Sequence, residues 1–69
     1  MATHIKLITT SDGKYVSIGA RVFNYYDRKW GKITTEPDMS GWFDVRHDDG
    51  TRACLNGDRI STYEPPVIR

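Results

Sequence analysis

The sequence predicts an all-β domain, and three observations carry that prediction. No window of eleven or more residues repeats apolar positions at i, i+3, i+4 and i+7, so an amphipathic helix has nowhere to form. Short runs of β-branched and aromatic residues recur every eight to twelve residues or so, the spacing of a small sandwich or barrel. Turn-forming Gly, Pro, Asn and Asp gather between those runs. A chain of 69 residues has room for one core, burying roughly 60% of its unfolded surface. One domain is therefore expected over residues 4–63, with residues 64–69 as a flexible C-terminal tail.

The elements follow in order. Ile5-Lys6-Leu7-Ile8 is the first extended run, ended by Ser11-Asp12-Gly13-Lys14. Tyr15-Val16-Ser17-Ile18 continues extended and stops at Gly19. Arg21–Tyr26 and Trp30–Thr35 read as a hairpin around an Asp27-Arg28-Lys29 turn. Glu36–Gly41 breaks the pattern with Pro and Gly, and Trp42–His47 opens the next strand. Asp48-Asp49-Gly50 fits a three-residue hairpin loop with glycine in the left-handed position, returning through Thr51–Leu55. Asn56-Gly57-Asp58 suggests a turn, such as a single 3₁₀ turn, before a last strand over Arg59–Thr62. Tyr63–Arg69 holds two prolines, which cannot donate to a ladder, and reads as a tail.

Alternation assigns the faces. If Val45 points inward, Phe43 and His47 share its side, and Trp42, Asp44 and Arg46 look outward. The expected core is Val22, Ile33, Val45, Leu55 and Ile60, joined by Ile5 or Leu7 and by Val16 or Ile18. Gly19, Gly31 and Gly41 suit the sharp bends of a small barrel.

Gly19-Ala20-Arg21-Val22, Trp30-Gly31-Lys32-Ile33, Asp44–Thr51 and Leu55–Ile60 together resemble, in that order, the small SH3-like barrels of the Tudor and KOW type. The resemblance covers about residues 18–62 and implies a single five-stranded SH3-like barrel, whose closure would hide its strand edges. Tudor-type barrels cage methylated Lys or Arg between aromatic rings, each good contact contributing about 0.5–2 kcal/mol. KOW-type barrels imply nucleic acid. The plasmid-encoded dihydrofolate reductases are also SH3-like barrels of this length, with a similar Gly-x-Arg-Val opening, and build one active pore from four chains. Their pore-lining Val-Gln-Ile-Tyr segment has no counterpart here, where Arg52-Ala53-Cys54-Leu55 falls nearest.

Composition narrows the functional classes. With 28% charged and 38% hydrophobic residues the chain is too apolar for a disordered tail. Its formal net charge of +1 permits nucleic acid without indicating it. A single cysteine, Cys54, rules out an intrachain disulfide and favours a reducing, cytoplasmic setting. The N-terminal residues lack the apolar stretch of a signal peptide or a membrane span, so no membrane partner is expected.

Of the side chains that could carry function, Tyr25, Tyr26, Trp30, Trp42 and Phe43 form the most prominent set, with Phe43 assigned to the core. Arg28, Lys29 and Lys32 gather at the first hairpin, and Arg21, Arg46 and Arg52 are available on neighbouring strand faces. His4, Asp44, His47, Asp48 and Asp49 fit no established zinc spacing, and the two aspartates are explained by the turn. Cys54 has no His or second Cys near it in sequence, so it reads as a buried small hydrophobe rather than a nucleophile. The expectation is a non-catalytic module without cofactor or metal, docking a protein or peptide partner through Tyr25, Arg28, Lys29, Trp30, Trp42 and Arg46. Nucleic acid is the alternative partner, and a homo-oligomeric reductase is a third reading. The oligomeric state is left open.

Overall fold

Side-chain alternation through Phe43-Asp44-Val45-Arg46-His47 leaves every second residue buried, and the fold is organised around that strand. The computed structural model describes residues 6–66. Its strands are β1 (Ile8–Thr9), β2 (Tyr15–Val16), β3 (Arg21–Asn24), β4 (Lys29–Ile33), β5 (Phe43–His47), β6 (Arg52–Leu55) and β7 (Ile60–Ser61), with a 3₁₀ turn over Gly57–Arg59. β1 and β2 pair as a small hairpin, and the other five form one antiparallel sheet in the order β6-β5-β4-β3-β7. The sheet curls into a half-barrel around Ile8, Val22, Ile33, Phe43, Val45, Leu55 and Ile60. Each such side chain contributes about 1.5–3 kcal/mol when fully withdrawn from water.

Close packing sets the curl at Gly31. It is buried opposite His47, and a Cβ there would lie 2.7 Å from the Arg46 carbonyl oxygen and 2.8 Å from Val45 Cγ1. Only glycine lets β4 approach β5 this closely. The β5–β6 turn is closed by Gly50, whose φ of 90° lies in the left-handed region, and by Thr51, whose N–H donates to Asp49 Oδ1 at 3.0 Å.

Polar side chains fasten the remaining pieces. Asp12 accepts from the Thr10 hydroxyl and from Thr62 Oγ1, the latter at 2.5 Å, while Ser11 N–H donates to the Ile60 carbonyl at 2.9 Å. These bonds tie the N-terminal hairpin to β7. Asn24 is fully buried, and its Oδ1 accepts from the N–H of Tyr26 at 3.1 Å and of Asp27 at 3.4 Å.

Several expectations are corrected. Tyr25 and Tyr26 lie in the turn rather than in β3, because the Asn24 side chain bends the chain back at once, and Lys29 belongs to β4 opposite Asn24. The N-terminal core residue is Ile8; Leu7 is exposed, and Ile5 and His4 lie outside the described residues. Val16 packs against the core and Ile18 does not. Cys54 is exposed, since Ala53 and Leu55 take the inward positions of β6. Phe23 is buried on the opposite face from Val22, under Trp30. The sheet also stops short of the expected closure: among the described residues no strand flanks the outer side of β6.

Replacing Gly31 by Ala should lower the unfolding free energy by about 1–3 kcal/mol, the range for overpacking a well-filled site. Urea denaturation measures it, and an unchanged midpoint would contradict the close β4–β5 contact.

Candidate functional site

The outer face of the sheet carries an unusual juxtaposition. Register pairs Arg21 with Lys32, Lys32 with Arg46, and Arg46 with Arg52. Four cations from four adjacent strands therefore stand directly opposite one another in a row. At about 4.8 Å per strand the row spans roughly 14 Å. Like charges directly opposite are destabilising in a sheet, so the arrangement does not serve the fold. Arg21 is offset by Asp48, which its two terminal nitrogens reach at 2.8 and 2.5 Å. Lys32, Arg46 and Arg52 are exposed and make no ion pair among the described residues.

Trp30 stands on the same face, two residues from Lys32. It is half-buried, packs edge-on against Phe23 with centroids 5.4 Å apart, and receives the Arg21 guanidinium 5.3 Å from its ring centroid. The ring is thus held firmly at one end of the row.

A second aromatic group gathers around Arg59 of the 3₁₀ turn. Its guanidinium lies 4.8 Å from the Tyr26 ring centroid and 5.2 Å from that of Trp42. Tyr25 tilts against Tyr26 at 5.4 Å, and its hydroxyl donates to the Asp58 carbonyl. The cation held by these rings is the chain's own.

The six residues expected to form one surface consequently fall into three groups. Trp30 and Arg46 belong to the cation row. Arg28 and Lys29 are tied to Glu64 at 3.2 Å and Asp49 at 2.9 Å, and Arg28 also lies 5.4 Å above the Phe23 ring centroid. Tyr25 and Trp42 belong to the Arg59 cluster, where Trp42 is half-buried. Arg59 itself was not legible, because no spacing rule links a residue of the 3₁₀ turn to the first hairpin.

A shallow groove of about 550 Å³ lies elsewhere, between Leu7, Pro37, Met39 and the Asn56–Asp58 turn. Met39 is fully exposed there, and the buried Asn56 Oδ1 has no hydrogen-bond partner among the described residues. No three His, Cys, Asp or Glu side chains gather among the described residues in a way that could hold a metal. No described helix is long and apolar enough to cross a membrane.

No family model matches the chain, and neither a curated protein nor a solved structure matches it significantly.

Hydrogen-bonded carboxylates, two in the β5–β6 turn and one in the N-terminal hairpin, set the acid response of the fold. Hydrogen bonds from Thr51 and then Lys29 hold Asp49 far below the ordinary carboxylate value of 3.8. The Arg21 hydrogen bond lowers Asp48, and Thr10 and Thr62 lower Asp12. In each case the unfolded chain binds more protons in acid, so stability rises with pH there. The contribution of these groups is full above the ordinary value of 3.8 and is lost as pH falls through it toward the lower folded values. Thermal unfolding should shift downward between about pH 5 and pH 2. The shift should be smaller in Asp49→Asn, and an equal shift in that variant would remove Asp49 from the account.

Proposed function

We propose that the chain is an SH3-like barrel of the Tudor and KOW kind that works as a non-catalytic binding module, and that its outer face takes single-stranded nucleic acid. The fold part of this reading is supported by the strand sequence: a four-strand meander, a 3₁₀ turn, and a last strand returned antiparallel onto the first of the meander.

One observation carries the functional part: the row of Arg21, Lys32, Arg46 and Arg52. Mutual repulsion within the row is relieved by a ligand that brings a line of negative charge. A phosphate backbone does this whatever its sequence, and Trp30 offers a held ring on which a base can stack. The near-neutral net charge is no obstacle, because the local field of the row decides binding.

A protein or peptide partner, the other reading, would have to be acidic to use this face. Two of the aromatic side chains that such a partner would use are engaged within the chain, Trp42 with Arg59 and Tyr25 with Asp58. Nucleic acid therefore takes precedence.

Fluorescence anisotropy with labelled single-stranded RNA and DNA tests the proposal. Affinity should fall steeply with salt, and Lys32→Ala or Arg46→Ala should each weaken binding on all sequences. Each should also reduce the slope of log K against log salt by about 0.7. Lys14→Ala, at an exposed position in the N-terminal hairpin, should leave the slope unchanged. Absence of binding to either nucleic acid at low salt defeats the proposal; binding of polyglutamate in its place would assign the face to an acidic peptide.

A further inference from the structure

The outer edge of β6 offers a second interaction surface, which shares only Arg52 with the cation row. His47 N–H donates to the Thr51 carbonyl at 2.7 Å, which fixes the phase of the β5–β6 ladder. Residues 51, 53 and 55 then turn their backbone groups toward β5. The N–H and C=O of Arg52 and Cys54 point the other way, and nothing among the described residues hydrogen-bonds to them. The edge is short, exposed and carries no proline or bulge, the condition that invites another strand.

We propose that this edge pairs with the same edge of a second copy, antiparallel, about a twofold axis at Ala53. Three constraints choose that occupant and that register. Only residues 52 and 54 present free backbone groups, so a shift of one residue would set them opposite residues already bonded to β5; only even shifts remain. With the axis at Ala53, Arg52 stands opposite the partner's Cys54, and Cys54 opposite the partner's Arg52. All four free backbone groups of each β6 are then bonded. An axis at Arg52 would set the two Arg52 side chains against each other, and an axis at Cys54 would leave Arg52 opposite the partner's Asn56.

Charge completes the choice. Cys54 pairs with Asp44 within one chain, so in the proposed register Arg52 faces the partner's Asp44 across the small Cys54 side chain. Two strand spacings, roughly 10 Å between α-carbons, are within the combined reach of an extended arginine and an aspartate. Neither Arg52 nor Asp44 has an ion-pair partner among the described residues, and the twofold axis forms the bridge twice. Ala53 meets the partner's Ala53 at a narrow, non-hydrogen-bonded position, where a small side chain fits. Arg52 is the end of the cation row, so Lys32 and Arg46 of both copies stay open.

Sedimentation equilibrium under reducing conditions should give a concentration-dependent dimer. Cys54→Pro should be monomeric with an unchanged circular dichroism spectrum, because the N–H it deletes does not serve the β5–β6 ladder. Should that variant unfold, the charge pair decides: Asp44→Arg should weaken the dimer and Asp44→Arg with Arg52→Asp should restore it. The register has its own readout. The two Cys54 α-carbons would lie roughly 8 Å apart, too far for a disulfide, so a short bismaleimide should link the copies where mild oxidation does not. A chain that stays monomeric at the highest soluble concentration overturns the proposal. So does a dimer indifferent to both Cys54→Pro and Asp44→Arg, while efficient disulfide formation overturns the register.

Discussion

The hydrogen bond between Asn24 and His47 is the contact on which the two hairpins depend. Both residues are buried, and the Asn24 amide nitrogen lies 3.1 Å from His47 Nε2. The amide orientation is fixed independently, because Asn24 Oδ1 already accepts the Tyr26 and Asp27 N–H groups. Asn24 therefore donates to Nε2, and the remaining imidazole proton sits on Nδ1, which donates to Thr51 Oγ1 at 3.0 Å. Thr51 in turn donates to Asp49 Oδ1 at 2.5 Å. A continuous relay thus runs from the β3–β4 turn through the interior to the β5–β6 turn. Every member has a partner, which is the condition under which a buried polar network specifies a structure rather than weakens it.

That relay also determines what the outer face displays. With His47 held inward next to Gly31, Arg46 must point outward, and alternation sends Lys32, Arg52 and Arg21 to the same side. The inner face is satisfied by apolar packing and by the relay, so the conflict of like charges is confined to the outside. Only its Arg21 end is offset, by Asp48, and this pair is solvent-exposed and contributes little. In the proposed function Lys32 and Arg46, the middle of the row, are where ligand charge would be felt most, since Arg52 at its far end is the residue that the proposed dimer pairs with Asp44.

The best-read part of the sequence is the hairpin from Trp42 to Leu55. Its strands alternate strictly, and Asp48-Asp49-Gly50 has one favourable turn geometry, so pattern and turn chemistry agree. The turn of the first hairpin begins two residues earlier than alternation predicts, because the bend comes from a side chain, Asn24, that alternation treats as an ordinary strand residue. Residue type alone argues for Cys54 inside, whereas the parity of β6 places it outside. The four cations were individually visible, yet their alignment was not. They come from four separate segments, and their register depends on turn geometry and on the Gly31 contact, neither of which is a local property.

The Arg59 cluster bears on where a partner can bind. A ring pair with an open cation site would draw a cationic ligand, but here the guanidinium is supplied by the 3₁₀ turn itself. The turn is further held to the first hairpin by the Tyr25 hydroxyl. Displacing Arg59 would uncouple the segment that delivers Ile60 to the core and Ser61 to β3, so a ligand entering there would be opposed by the stability of the last strand. No such penalty attaches to the outer face, where Lys32 and Arg46 need give up only water to bind. Nor does one attach to the β6 edge, whose backbone groups have no partner to lose among the described residues. In the two proposals a partner meets a charged face and a strand edge at little internal cost, whereas the aromatic cluster is engaged with the 3₁₀ turn that precedes the last strand.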